Sequence, residues 1–494
     1  MWQDYVSQDG SKSILSSVGL LQDVLCLKTD SYKVGHWKML AEDTDNFFSY
    51  GEARGAGHGI EKTVMFGLQA IIKKYFLKKI TMRDIMRAKR FADRHLKPGA
   101  FNYEGWKYIV DEYDGYLPLE IWAVPEGTVL NPKNVLYYVQ ATDAKCKWLV
   151  SYFEPLWLQV WYPITVASLS YQIRKNLSKF WQETVDDDRM GGLNFALHDF
   201  GFRGVSSPES AGIGDAGHLM SFMGTDTMMG IAVLYDYYGL DEEDDNSMPG
   251  FSVYASEHSV ACALSNAETK NDYAYLEAMV ALLEKEGGIV SAVADTYDPY
   301  RFTKWVGTDF KERIEKSGGR FVVRPDSGDP KVVPVQLIEM LLQLYGYTIN
   351  KKGFKVLPDC IRVLQGDGIT IETINEICLA LRAKGISVEN IVFGMGGGLL
   401  QHCDRDWLKF AQKTTAMLVD DKWIPLQKDP ITDPGKQSKK GRVETVLRDG
   451  EYTSINFEDR RVTDVEVMQR VFFNGALENE VTAPEIRQRV QATF

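Results

Sequence analysis

The feature that most constrains this chain is a rhythm. Between about residue 190 and residue 400, a short apolar run ends in a polar or glycine-rich loop and a helical pattern follows, seven times over. LNFAL leads to HDFGFRG, SFM to GTDT, FSVY to ASEHS, GIVSAVA to DTYD, RFVV to RPDSGD, CIRVL to QGDG, and NIVF to GMGGG. Such runs read as buried strands, and repeated β-α units demand parallel strands joined by crossover helices. The helical stretches between them are amphipathic. Leu276, Met279, Val280 and Leu283 share one face. Ile371, Ile374, Ile377, Cys378 and Leu381 share another, with Thr370 or Thr373 placed to cap and Gly385 to stop it. Every loop after a strand carries Asp, Arg, His or Gly. A barrel gathers all such loops at one mouth, whereas an open sheet brings only those near its switch point to a ligand. The fold class expected is α/β: an irregular α/β barrel over residues 190–400.

The flanks have a different texture. LPLEIWAVPEGTVLNPKNVLYYV, from Leu117, is rich in β-branched and aromatic residues and is broken by Pro-Glu-Gly and Asn-Pro, which predicts strands and tight turns. Leu68, Ile71, Ile72 and Tyr75 mark one buried helix face. Pro155 and Pro163 divide WLVSYFEPLWLQVWYPITVASLSYQIRKNL into pieces. Beyond about residue 410, Asp449-Gly450 and Asn474-Gly475 suit type I′ hairpin tips, and Asp420-Asp421 also reads as a tip. A short helix starts after Thr482 with Pro484 near its first position. These segments predict a β-rich α+β domain assembled from 23–189 and 401–494, with 1–22 as an N-terminal arm.

Composition narrows the function. The 494 residues are 45% hydrophobic and 25% charged, which excludes wholesale disorder. Asp+Glu number 68 against 56 Lys+Arg, a net charge of −12, so no nucleic acid partner is expected. No apolar run approaches the ~20 residues that span a bilayer. Six scattered cysteines with no C-x-x-C pair, and an N-terminus without a basic region, predict a cytoplasmic protein with no membrane partner.

The loops carry the chemistry. RPDSGDP (324–330) and QGDG (365–368) each join a charged group to glycine. Glycine lets backbone N–H groups approach a phosphate, and Arg324 offers a fork to a carbonyl or phosphate; each is equally a tight β-α turn with an Asp cap. GMGGGLL (394–400) opens a helix and is either an anion site or a close backbone crossing. It is not G-x-G-x-x-G, because Leu399 stands at the last position, and no P-loop occurs. His258 begins a helical segment and is either structural or a nucleophile able to accept a phosphoryl group. Asp226, Asp295 and Asp326 follow three different strands, where they suit Mg²⁺ or ribose hydroxyls, or else cap helices. Phe200 offers a stacking face and Arg203 a cation. KQSKKGR (436–442) reads as a solvated basic loop.

Together, TDSYKVGHW (29–37), FNYEGW (101–106), YDGYLPLEIWAVPEG (113–127), WYPITVA (161–167), HDFGFRGVSS (198–207), GTDT (224–227), ASEHS (255–259), RPDSGDP, QGDG, FGMGGGLLQ (393–401) and DPGKQSKKGR (433–442) resemble the nicotinamide phosphoribosyltransferases, of the type II phosphoribosyltransferase family. The resemblance runs from about residue 22 to the C-terminus. It implies transfer of a phosphoribosyl group from 5-phosphoribosyl-1-diphosphate to nicotinamide, a requirement for Mg²⁺, and ATP hydrolysis coupled through a phosphohistidine at His258. It implies a homodimer with shared active sites, in which the base is sandwiched between Phe200 and Tyr32 of the partner subunit. Asp226 is then the acceptor for the carboxamide N–H₂ and Arg324 the donor to its oxygen. Arg203, Asp295, Asp326 and Asp30 of the partner subunit line the ribose side, with Mg²⁺ held largely through substrate phosphates near Asp295 and Asp326. Gly366, Asp367, Gly396 and Gly397 hold ribose and 5-phosphate. Arg54, Arg405 and Lys413 match the diphosphate and ATP-phosphate side. The chain departs from the family at Tyr254, usually Pro, at Met395, usually a small residue, and at Ala411, where a hydroxyl helps bind phosphate. A nicotinate-using relative and a catalytically silent binding protein are the alternatives on the same fold.

Overall fold

A computed structural model describes residues 19–494. Most of the expected N-terminal arm, 1–18, lies outside the described residues. Seven parallel strands form the ring: Leu197–Asp199, Gly224–Thr225, Tyr254–Ala255, Ile289–Val293, Arg320–Arg324, Ile361–Gln365 and Ile391–Met395. Four coincide with the apolar runs, whereas in the first three units the short strand starts at the last residue of LNFAL and of FSVY and only after SFM, so those runs are mostly not strand themselves. The last strand returns to the first through Phe393↔Leu197, Gly394↔His198 and Met395↔Asp199. One seam is thin. Between Gly224–Thr225 and Tyr254–Ala255 the backbone closure runs through Phe251, which bridges Gly224, donates to the Met223 carbonyl at 2.7 Å and accepts from Thr225 N at 3.0 Å. The result is an irregular α/β barrel.

Local chemistry explains the elements. Ile361–Gln365 is buried at every residue, as expected of a strand covered on both faces. Tyr273–Glu286 buries Leu276, Val280 and Leu283, with Met279 half-buried. Ile371–Ala383 begins at a capping box, Thr370 with Thr373, and Gly385 turns left-handed (φ +64°) just past its end. Two helical expectations need correction. Gly397–Leu400 is a single turn, so the glycine loop opens much less helix than its pattern suggests. Leu68–Ile71 is α-helical for one turn and then widens into a π-helix, Ile72–Phe76, which delivers Phe76 onto Trp157 with ring centroids 3.6 Å apart.

Prolines divide the next stretch into Leu149–Tyr152, Glu154–Leu158 and Trp161–Thr184. Pro155 and Pro163 each fall in a first turn, where a missing N–H breaks no helical bond.

The flanks interleave. Asn46–Ala53 runs antiparallel between Phe410–Val419 and Val135–Ala141, and Gln469–Phe473 pairs with Leu119–Ala123 in the same seven-stranded sheet. Both residues are left-handed at each hairpin tip: Asp420 and Asp421 (φ 47° and 57°), Asp449 and Gly450 (53° and 83°), Asn474 and Gly475 (46° and 88°). That is the type I′ signature, whose twist matches the strands it joins. Ala483–Gln491 starts from a Thr482–Glu485 capping box. Among the described residues, no helix is long and apolar enough to cross a membrane.

Candidate active site

The loaded loops meet at the C-terminal ends of the barrel strands. His258 opens the helix His258–Leu264. Its Nε2 lies 3.0 Å from Asp295 Oδ1 and its Nδ1 3.9 Å from Asp326 Oδ2. Asp295 is 5% exposed and the imidazole 44%, so one ring edge is held and the other faces the mouth. Three consecutive strands therefore supply one cluster.

The capping alternative does not apply to these carboxylates. Asp298, not Asp295, caps Pro299–Gly307 by accepting from Tyr300 N and Arg301 N. Thr227, not Asp226, holds the cap position of Met228–Tyr237. Asp326 is separated by a loop from Val333–Tyr345.

Phe200 follows the first strand and donates its N–H to the Met395 carbonyl at 3.0 Å. Its ring lies across two glycines. A Cβ at Gly394 would fall 2.0 Å from Phe200 Cε2, and one at Gly366 would fall 3.6 Å from it and 3.5 Å from Asp326 Oδ1. The first glycine of GMGGG thus serves a close crossing. Gly396 packs on the Phe200 backbone, and a Cβ at Gly397 would meet Gln401 and His402. Arg324 is half-buried and donates from Nη2 to the Ser256 carbonyl at 3.0 Å, while its buried Nε has no partner. Asp226 is exposed; its carboxylate accepts from Ser252 Oγ and its N–H donates to the Asp199 carbonyl at 2.9 Å. Arg203 and Asp367 are exposed, and Gly366 is half-buried.

A second group sits on the antiparallel sheet. Tyr50 pairs with Lys413 and Glu52 with Ala411. Arg54 Nε lies 3.2 Å from Glu52 Oε1, and Lys439 Nζ lies 2.9 Å from Glu52 Oε2. KQSKKGR is only partly solvated: Lys436, Gln437 and Lys440 are exposed, but Lys439 reaches a buried carboxylate and Ser438 is buried. Burial holds the Lys413 ammonium below its ordinary value; Glu154 opposes this, while Arg54, Lys428 and Arg405 add to it. The three cations expected on the phosphate side are thus neighbours, a local positive patch in an acidic chain. Lys428, Lys439 and Glu52 were not expected. Lys439 is far from Glu52 in sequence, so no spacing announces that pair, whereas Glu52 lies only two residues from Arg54.

Asp30 and Tyr32 do not join either group within one chain. Both are exposed, Tyr32 by 62%. Tyr32 packs edge-on against His36, and the adjacent Lys33 binds Glu154 at 2.8 Å.

No group of three or more His, Cys, Asp or Glu among the described residues forms a metal cage. Asp295 and Asp326, one of them committed to His258, suit a hard cation that takes most of its oxygens from a polyphosphate substrate.

Comparison with known proteins gives this geometry its context. A family model described as nicotinamide phosphoribosyltransferase, N-terminal domain, matches residues 24–121, and one described as the nicotinate phosphoribosyltransferase (NAPRTase) family matches 195–476. The nicotinamide phosphoribosyltransferase of Xanthomonas campestris pv. campestris is 42% identical over 478 residues, covering 95% of this chain and 98% of that one. The chain belongs to the nicotinamide phosphoribosyltransferase family. A second relative of that name, from Acinetobacter baylyi, is 30% identical over 496 residues, covering 93% of this chain and 96% of its own. Family membership makes this chain a phosphoribosyltransferase of NAD biosynthesis. Two solved structures share the fold. Nicotinate-nucleotide pyrophosphorylase from Pyrococcus furiosus has a TM-score of 0.59 at 16% identity, covering 100% of this chain and 98% of that one. Human nicotinic acid phosphoribosyltransferase has a TM-score of 0.55 at 14% identity, covering 94% and 93%.

Proposed function

We propose that the chain transfers the phosphoribosyl group of 5-phosphoribosyl-1-diphosphate to nicotinamide, giving nicotinamide mononucleotide and pyrophosphate. The observation that carries this reading is the bond from Asp226 N–H to the carbonyl of Asp199, the residue before Phe200, which ties the segment holding a ring face to the one holding an acceptor, with Gly366 lying between the Phe200 ring and Asp326 of the His258 cluster. The base stacks on Phe200, its carboxamide N–H₂ donates to Asp226, and Arg324 donates to its oxygen. The bond from ribose C1 to diphosphate breaks as the bond from C1 to the ring nitrogen forms. Arg54, Arg405 and Lys413 neutralise the departing diphosphate, and Asp326 stabilises the oxocarbenium-like centre. Mg²⁺, when bound through substrate phosphates near Asp295 and Asp326, supplies further neutralisation of the leaving group. ATP acts as a coupled co-substrate, its γ-phosphoryl passing to His258. In this reading 190–400 forms the base and ribose side, while 23–189 and 401–494 form the phosphate side. The six free cysteines fit a reducing cytoplasm.

Asp226 sets the base preference, because the carboxylate of nicotinate would meet it as a like charge. The test is a product assay with either base, with and without ATP. Nicotinamide mononucleotide as the main product, and a relaxed preference in Asp226→Asn, are expected. Nicotinate mononucleotide as the main product sinks this assignment, and no nucleotide from either base moves the binding-protein alternative forward.

We further propose a homodimer in which Asp30 and Tyr32 of the partner subunit complete each site. The exposure of both residues, and of the large apolar side chains Phe202, Met228, Phe251 and Tyr254, supports a covering second copy. Mixing inactive Tyr32→Ala and Asp226→Ala proteins under subunit exchange then restores about a quarter of wild-type activity, since half the dimers carry one intact site. A mixture as inactive as its components counts against shared sites.

A further inference from the structure

We propose that Asp199 and Asp215 form a buried carboxyl pair holding one proton between them, and that this pair positions Phe200 relative to Asp226. The proposal rests on the reading of those two residues as the base-binding groups. Asp199 ends the first barrel strand, and Asp215 sits on the helix Pro208–His218. Both are fully buried. Asp199 Oδ1 accepts from Gly201 N at 2.7 Å, which holds the turn that carries Phe200. Asp215 Oδ1 accepts from Thr225 Oγ1 at 2.8 Å, and the same hydroxyl accepts from Thr227 N at 2.9 Å, which holds the turn that carries Asp226. Asp199 Oδ2 and Asp215 Oδ2 are buried with no donor in place, and the two carboxyls face each other, with the Thr227 hydroxyl also beside Asp199. Asp215 is also closely packed against the next helix: a Cβ at Gly230 would fall 1.9 Å from its Oδ2.

Two bare carboxylates cannot share such a site, so one keeps its proton and donates to the other. Burial is the largest cause that raises both groups, Asp199 to about 6 and Asp215 well above its ordinary value; the neighbouring Asp199 carboxylate comes next for Asp215, and the charge of Asp226 adds to both. The other titratable group facing the pair is the Tyr162 phenol. Asp215 was not expected from the sequence; its only sequence mark is a charged residue among small ones in AGIGDAGH.

Asparagine mimics a protonated aspartic acid: its oxygen accepts and its N–H₂ donates. Asp215→Asn and Asp199→Asn each keep one donor facing one acceptor. The double variant sets two N–H₂ groups against each other. Each single asparagine variant is expected to keep the nicotinamide KM within about two-fold of wild type, while Asp199→Asn/Asp215→Asn and Asp215→Ala raise it about ten-fold or more, with kcat and the ribosyl-donor KM little changed. Thr225→Val, a milder break in the same chain, raises it by a few-fold and serves if the double variant does not fold. Wild-type KM in Asp215→Ala, or a double variant no worse than either single one, overturns the proposal. A protonated-carboxyl infrared band at neutral pH, removed by Asp215→Asn, reads the pair without turnover. If the band is present but the wild type makes no nucleotide from nicotinamide, the proposed function fails and the proton-sharing survives; if the band is absent, the pair itself is refuted.

Discussion

Asp295→Ala is expected to lower phosphoryl transfer from labelled ATP to the protein by about 10²-fold, and His258→Ala to abolish it. The argument is geometric. Asp295 is almost wholly buried and sits 3.0 Å from His258 Nε2, so it accepts a hydrogen bond from Nε2–H and fixes the ring and its tautomer. The lone pair is then on Nδ1, at the open edge, 3.9 Å from Asp326 Oδ2. Nδ1 is therefore the atom that attacks: the bond from the γ-phosphorus to ADP oxygen breaks as the Nδ1–P bond forms. Without Asp295 the ring samples both tautomers and rotates, and the nucleophile is lost for most of the time. Acid-labile label on the wild type, absent from His258→Ala, checks the first claim. Phosphorus NMR of the labelled protein checks the second, because the two ring positions give different signals. Attachment at Nε2, or wild-type labelling in His258→Ala, sinks the assignment.

Gly394→Ala is expected to raise the nicotinamide KM about 10- to 100-fold, matching the ~1–3 kcal/mol that stacking of a heterocyclic base on an aromatic face contributes. The added methyl would stand 2.0 Å from Phe200 Cε2 and 2.3 Å from Cδ2. Neither side can yield through its backbone. Gly394 is paired to His198 in the barrel, and Phe200 N is bonded to the Met395 carbonyl. The ring must leave its place, and the stacking face goes with it. Gly366→Ala is the internal control. Its Cβ meets the same ring at 3.6 Å, an ordinary contact, so the expected change is a few-fold at most. Phe200→Ala should lose about as much as Gly394→Ala, and the double variant little more, because both remove one interaction. Steady-state kinetics with each substrate varied, alongside thermal unfolding to show intact folding, decide the matter. An unchanged KM in Gly394→Ala means Phe200 is not the base platform.

Local features of the chain were legible because they depend on neighbours in sequence. Asp449-Gly450 and Asn474-Gly475 form left-handed tips because few other residues tolerate that backbone. Thr370 caps because its hydroxyl reaches the N–H three residues on. Four strands coincide with apolar runs and three start at or just past theirs, and their parallel order follows from the helices between them. The main residues of the mouth were legible for the same reason: a residue just past a barrel strand has one place to go. Choosing between cap and site was not possible at that level. Whether Asp295 or Asp298 caps depends on where the next helix begins, which packing decides.

By itself, then, the sequence determined the α/β rhythm of the barrel, the turns and the Thr370 and Thr482 caps, and it offered His258, Asp226, Asp295, Asp326 and Phe200 as candidates, since short-range sterics and hydrogen bonding act on neighbours in the chain. Tertiary structure decided the rest. It closed the barrel at Phe251, spent Gly394 on the Phe200 ring and folded Lys439 onto Glu52. It also joined Asp199 to Asp215 away from water. These contacts link residues far apart along the chain, and their energies come from burial and exclusion of solvent, which no spacing in a sequence records.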